Sequence, residues 1–96
     1  MSYELAFKES ALKEWRKLDD SVRSQFKKKL GERLEQPRIE ADRLRNLPDC
    51  YKIKLRNACY RLVYQVEDLQ ILVTVIAVGR RDRLSVYSAA RKRIES

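Results

Sequence analysis

The chain has no histidine. It therefore lacks the one side chain that titrates near neutral pH without help, and with it the usual imidazole base, acid and metal ligand. Two cysteines, Cys50 and Cys59, match no zinc spacing. The two glycines, Gly31 and Gly79, are too few and too far apart for a loop that cradles a nucleotide phosphate chain. Asp49 and Asp82 stand alone among cations, so the basic segments gather no group of acids that could hold a catalytic metal, which argues against a metal-dependent nuclease. No metal or other cofactor is expected. No apolar run approaches the roughly 20 residues of a membrane span, and Met1-Ser2-Tyr3-Glu4 does not open a secretory signal. The expected location is cytoplasmic, with no membrane partner.

What is present in excess is positive charge. The 96 residues carry 22 Lys and Arg against 14 Asp and Glu, a net charge of +8. The excess sits in two segments. Residues 43–61 hold Arg43, Arg45, Lys52, Lys54, Arg56 and Arg61 against Asp49. Residues 79–93 hold Arg80, Arg81, Arg83, Arg91, Lys92 and Arg93 against Asp82. Each segment is +5, so the rest of the chain is slightly acidic. Mixed charge would serve solubility equally well; concentrated charge is the electrostatic footprint of a nucleic-acid binder.

With 44% hydrophobic and 38% charged residues the chain reads as one globular domain, 1–96. Tyr3, Leu5 and Phe7 alternate with Glu4, Ala6 and Lys8 as a short first strand. Residues 9–18 predict a helix with Leu12, Trp15 and Leu18 on one stripe. Asp19-Asp20-Ser21 supplies a turn and an N-cap for a second helix. Along it Val22, Phe26, Leu30 and Leu34 recur every four residues, Lys27-Lys28-Lys29 lies outside, and Pro37 marks the end. Residues 38–49 connect to three strands at about 50–56, 59–67 and 70–79. The run Ile71 to Val78 is apolar on both faces, as a central covered strand would be. Gly79 is expected to end it, and a last helix over about 83–94 carries Leu84, Tyr87 and Ile94 on one side. The fold class is α+β: a mainly antiparallel four-stranded sheet with an N-terminal helical hairpin and a C-terminal helix, in the order β-α-α-β-β-β-α.

The cationic hairpin is the feature with chemical content. In Tyr51-Lys52-Ile53-Lys54-Leu55-Arg56 the three cations share one face and Ile53 and Leu55 the other. A two-residue turn at Asn57-Ala58, which lacks the glycine such turns favour, would pair Arg56 with Cys59 and Lys54 with Arg61. Cross-strand partners lie about 5 Å apart at Cβ, and like charges there are destabilising. An anion, first of all a phosphate, is the expected reason for that arrangement. The opposite face collects Ile53, Leu55, Tyr60, Leu62 and Tyr64 as core. The same register sets Cys50 opposite Gln65, on the order of 20 Å from Cys59, too far for a disulfide. Two reduced thiols are expected.

Such a cluster can bind RNA or cut it. Cutting needs a base for the 2′-OH, charge stabilisation at phosphorus and an acid for the 5′-oxygen. A lysine is a poor base at its ordinary pKa of about 10.4, and neighbouring cations disfavour its protonated form. Arginine holds its proton and suits the clamping of phosphate oxygens. A tyrosine such as Tyr87 can stack on a base.

Several segments resemble the RelE toxins of the RelE–RelB toxin–antitoxin systems, within the RelE/ParE family. They are Leu12-Lys13-Glu14-Trp15-Arg16-Lys17-Leu18, Pro48 to Arg56, Tyr60-Arg61-Leu62-Val63-Tyr64-Gln65-Val66 and Val78-Gly79-Arg80-Arg81-Asp82-Arg83 with Val86-Tyr87. The resemblance covers essentially the whole chain. It implies the RelE/ParE-like fold and a ribosome-dependent endoribonuclease that cuts mRNA in the ribosomal A site, between the second and third codon positions, leaving a 2′,3′-cyclic phosphate. By position it implies Lys52 and Lys54 as base and electrostatic support, Arg61 as transition-state clamp, Arg81 as general acid and Tyr87 as the ring that stacks on the mRNA. Arg45 is similar to a ribosomal RNA contact, and Arg56 and Arg83 extend the RNA-binding surface. The implied partners are a RelB-like antitoxin, the 70S ribosome with its 16S rRNA, mRNA, and operator DNA through the antitoxin complex alone.

Other readings stay open on the residues alone. A ParE-like inhibitor of gyrase without catalysis, or a small basic RNA-binding module, would carry the same charge. Arg81 could be a plain cation before a helix, and Tyr87 on the apolar side of its helix could be core.

Overall fold

A computed structural model describes residues 2–55, 58–80 and 85–95. Its elements follow the expected order: strand β1 (Glu4–Phe7), helices α1 (Glu9–Arg16) and α2 (Asp20–Glu35), a 3-10 turn (Glu40–Asp42), strands β2 (Cys50–Leu55), β3 (Tyr60–Glu67) and β4 (Leu72–Arg80), and helix α3 (Ser85–Glu95). The four strands form one sheet in the order β1-β4-β3-β2. β2–β3 and β3–β4 are antiparallel, while β1 runs parallel to β4. The sheet is mainly antiparallel, as expected, and the apolar β4 is central.

Both sheet faces are covered, which is why β4 is apolar on both. On one side the helical hairpin contributes Trp15, Val22, Phe26 and Leu30, packed on Ile53, Leu55, Leu62, Tyr64 and Val75. Phe7, Trp15 and Phe26 form a tilted aromatic run with centroids 5.3 and 6.2 Å apart. Phe26 is fully buried, and its truncation to alanine would cost about 3–5 kcal/mol. On the other side α3 lays Val86 and Ala90, with Leu47 from the connection, over Cys50, Val63, Ile76 and Ala77.

Three details differ from the sequence reading. α1 ends at Arg16, and Leu18 is buried from the turn that follows. The Asp19 N-cap position is extended but makes no side-chain capping bond. Gly79 does not end β4. The strand continues through it to Arg80, with Gly79 opposite Arg61 and Arg80 opposite Tyr60. The glycine serves a close approach instead: a Cβ there would fall 2.6 Å from Val86 Cγ2, so a side chain at this position would push α3 off the sheet.

Candidate active site and RNA interface

The register of the cationic hairpin is the expected one. Lys54 pairs with Arg61, Ile53 with Leu62, and Cys50 with Gln65. The Arg56–Cys59 pair and the turn at Asn57 lie outside the described residues. Cys59 is exposed, Cys50 is buried, and both thiols are free. Burial, with Asp49 adding to it, pushes the Cys50 thiol up to about 12, which makes it inert.

Sheet alternation sets the cations on the α3 face, where α3 and Leu47 cover Cys50 and Val63 and Lys54 is exposed beside them. Lys52 and Arg61 are half-buried. Tyr87, in the first turns of α3, reaches back to this cluster. Its hydroxyl accepts a 2.6 Å hydrogen bond from Arg61 Nη1, and the Arg61 guanidinium lies 5.8 Å from the Tyr87 ring centroid. Arg61 Nε is buried with no hydrogen-bond partner among the described residues. A guanidinium held by one neutral hydroxyl, with a cation opposite, is poorly compensated, and an anion would complete it.

The structure thus brings together Lys52, Lys54, Arg61 and Tyr87. Arg45 is exposed in the turn before β2 and joins the group through a cavity that it lines together with Tyr87. Arg56, Arg81 and Arg83 lie outside the described residues. Tyr87 packs partly against the second core, as the core reading expects, and its hydroxyl accepts from Arg61.

Sequence reasoning missed the groups that hold β2 in place. Arg33, on α2, donates to the Tyr64 hydroxyl at 2.9 Å, to Asp42 at 2.6 Å and to the Lys52 carbonyl at 3.4 Å. Burial works against its charge, but Tyr64 and Asp42 outweigh that, and its pKa is raised. Tyr64 in turn donates to the Pro37 carbonyl at 2.6 Å and stacks on Tyr51. Arg38 ties Asp49, Asp68 and the Tyr51 hydroxyl together. Hydrogen bonds from Tyr3 and Arg38 hold the Asp68 carboxyl below its usual range. No sequence signal marks Arg33 or Arg38, since each looks like one more solvated cation.

The chain belongs to the family described as the ParE toxin of the type II toxin–antitoxin system, whose model matches residues 5–85. Within it, the chain is similar to the mRNA interferase toxin RelE of Escherichia coli (strain K12), with 65% identity over 94 residues, 98% of this chain and 99% of that protein. Among solved structures it is similar to the R81A/R83A mutant of E. coli RelE in the free state (TM-score 0.92, 63% identity, 98% of this chain and 99% of that one). It is also similar to the toxin in the intact E. coli RelBE toxin–antitoxin complex (TM-score 0.82, 63% identity, 85% of this chain and 100% of that one). Among the described residues no helix is long and apolar enough to cross a membrane.

Proposed function

We propose that this chain is the toxin of a type II toxin–antitoxin pair and an mRNA interferase, a cytoplasmic endoribonuclease that cuts mRNA in the ribosomal A site. The observation that carries the reading is the Lys54–Arg61 cross-strand pair, with Arg61 docked on Tyr87. This is a site built from cations in need of a phosphate, in a chain 65% identical to a protein named mRNA interferase.

In the proposed chemistry the 2′-oxygen attacks phosphorus, giving up its proton to Lys52 or Lys54, whichever is unprotonated. Arg61 clamps the non-bridging oxygens as charge develops on them. The bond to the 5′-oxygen breaks, Arg81 supplies that oxygen's proton, and the products are a 2′,3′-cyclic phosphate and a 5′-hydroxyl. Tyr87 stacks on the RNA, Arg56 and Arg83 widen the contact, and Arg45 meets ribosomal RNA. A RelB-like antitoxin covers the basic surface, and operator DNA is reached through that complex.

Primer extension on mRNA from programmed ribosomes tests this reading. It expects discrete cuts within the A-site codon that are absent with Lys54→Ala; uncut mRNA with folded wild-type protein would overturn it. The ParE description of the matching family favours one second reading, a gyrase inhibitor. That reading predicts blocked supercoiling by purified gyrase and intact mRNA.

A further inference from the structure

A cavity of about 320 Å³ opens between the connection that precedes β2 and α3. Its volume is at the lower end of small-ligand pockets, roughly 300–1,000 Å³. Leu44 and the buried Leu47 give it an apolar wall, and α3 contributes Tyr87 and Ser88. Asn46 adds an amide, and Arg45 and Arg91 bring positive charge. No carboxylate lines it among the described residues.

Tyr87 is common to this cavity and to the cationic site, because its hydroxyl accepts from Arg61 while the residue lines the pocket. A ligand held at Arg61 therefore has the cavity as its immediate neighbour. The lining is mixed in a particular way. The leucine wall and the Tyr87 ring suit the face of a base, an amide and a hydroxyl suit its polar edge, and two arginines suit charge outside it. Unstacked bases of single-stranded RNA are bound in this manner, on aromatic and arginine planes with hydrogen bonds to their edges.

We propose that the cavity is a subsite for one nucleobase of the RNA, next to the phosphodiester held by Arg61. Asn46 and Ser88 read the edge of the base, with the positive charge of Arg45 and Arg91 at its rim. The proposal rests on the reading of the chain as an RNA-cutting toxin and gives that toxin a source of nucleotide preference. Continuity with Arg61 through one shared side chain favours substrate RNA over a protein segment as the occupant.

Two experiments decide it. In the first, the labelled full chain is titrated by NMR with AMP, GMP, CMP and UMP, and separately with ribose 5-phosphate. Saturable shifts of the Leu44 and Leu47 methyls and the Ser88 amide are expected with at least one nucleotide, and none at the leucines with ribose 5-phosphate. Equal shifts with both, or none with any nucleotide, would overturn the subsite. In the second, Ser88→Trp fills the cavity, and cleavage is followed on ribosomes programmed with a set of A-site codons. KM for the preferred codon should rise about tenfold, the scale of one lost base contact, and the codon preference should flatten. Asn46→Ala should flatten it as well, and serves if circular dichroism shows Ser88→Trp unfolded. Unchanged preference and KM in a folded variant would overturn the subsite while leaving the nuclease reading intact. A wild-type chain that cuts no mRNA would overturn the nuclease reading instead, and the NMR titration would still decide whether the cavity takes a base.

Discussion

Arg61 donates Nη1 to the Tyr87 hydroxyl at 2.6 Å while its own Nε is buried without a partner among the described residues. The bond joins β3 to α3 and holds the Arg61 guanidinium against the Tyr87 ring. Tyr87→Phe keeps the ring and deletes the acceptor, leaving a charged donor further undercompensated. A stability loss of about 1–3 kcal/mol is expected, read from the urea midpoint. An unchanged midpoint would mean that the hydroxyl does not hold Arg61 in solution.

Lys54 is exposed and paired with Arg61, so its charge opposes the fold, and the proposed chemistry gives it its use. Lys54→Ala should lower cleavage by about 10²-fold or more, the cost of removing one group that stabilises a transition state. The melting temperature should hold or rise, because like charges directly opposite are destabilising. Full cleavage with a lower melting temperature would contradict the cluster.

The hairpin was readable because alternation leaves little choice of register: a slip of β2 by one residue would turn Lys52 and Lys54 towards the helical-hairpin core and Ile53 and Leu55 away from it. The central place of β4 was readable from its two apolar faces. Gly79 misled, because a glycine can mark the end of a strand or the close approach of another element, and Val86 decides between them from seven residues away. The parallel pairing of β1 with β4 leaves no local mark. Nor do the left-handed turn residues Asp49, Cys59 and Ile71, where this glycine-poor chain puts ordinary side chains at positive φ. In the site, residue types and strand register were legible. The Arg61–Tyr87 bond and the Arg33 brace under Lys52 were not, since each joins elements whose approach depends on the whole core.

Glu14 fastens α3 to the sheet. Its Oε1 accepts the Val78 amide at 3.1 Å and Arg93 Nη1 at 2.8 Å, and Arg93 Nη2 reaches Oε2 at 3.3 Å. The same Arg93 donates to the Ile76 carbonyl at 2.8 Å, and Lys8 donates to the Arg93 carbonyl at 3.0 Å. Glu14→Ala should cost about 1–3 kcal/mol, the range for bonds to charged groups. Because opening is local, amide exchange across residues 86–94 should accelerate more than that of β3. Uniform acceleration would show that α3 and the sheet open together.

Alkaline stability should follow Cys50 and Tyr64. Burial holds the Cys50 thiol up at about 12 against an ordinary 9.0; burial also raises Tyr64, with Arg33 pulling the other way. Both groups stay neutral in the fold after they would ionise in the unfolded chain. Their contribution is therefore fully present below pH 9 and is lost as pH rises towards 12. Cys50→Ala should flatten this alkaline limb, whatever its effect at neutral pH. An equally steep limb would assign the loss to other groups.

Free RNA should be a poor substrate. With no histidine, nothing here titrates near neutral pH unaided, so proton transfer contributes little and the rate must come from positioning and charge. In-line attack requires the 2′-oxygen, the phosphorus and the 5′-oxygen to align, and flexible single-stranded RNA must give up much entropy to do so. The cavity beside Tyr87 has a volume of only about 320 Å³ and cannot fix the backbone on both sides of a phosphate. A ribosomal A site can hold the codon in that geometry while Lys52, Lys54 and Arg61 close around the phosphate. Well-oriented reactions gain effective molarities of about 10⁵ M or more, so single-turnover rates on ribosome-bound and free mRNA should differ by several orders of magnitude. Comparable rates at matched saturation and salt would sink the argument and make this chain an ordinary ribonuclease.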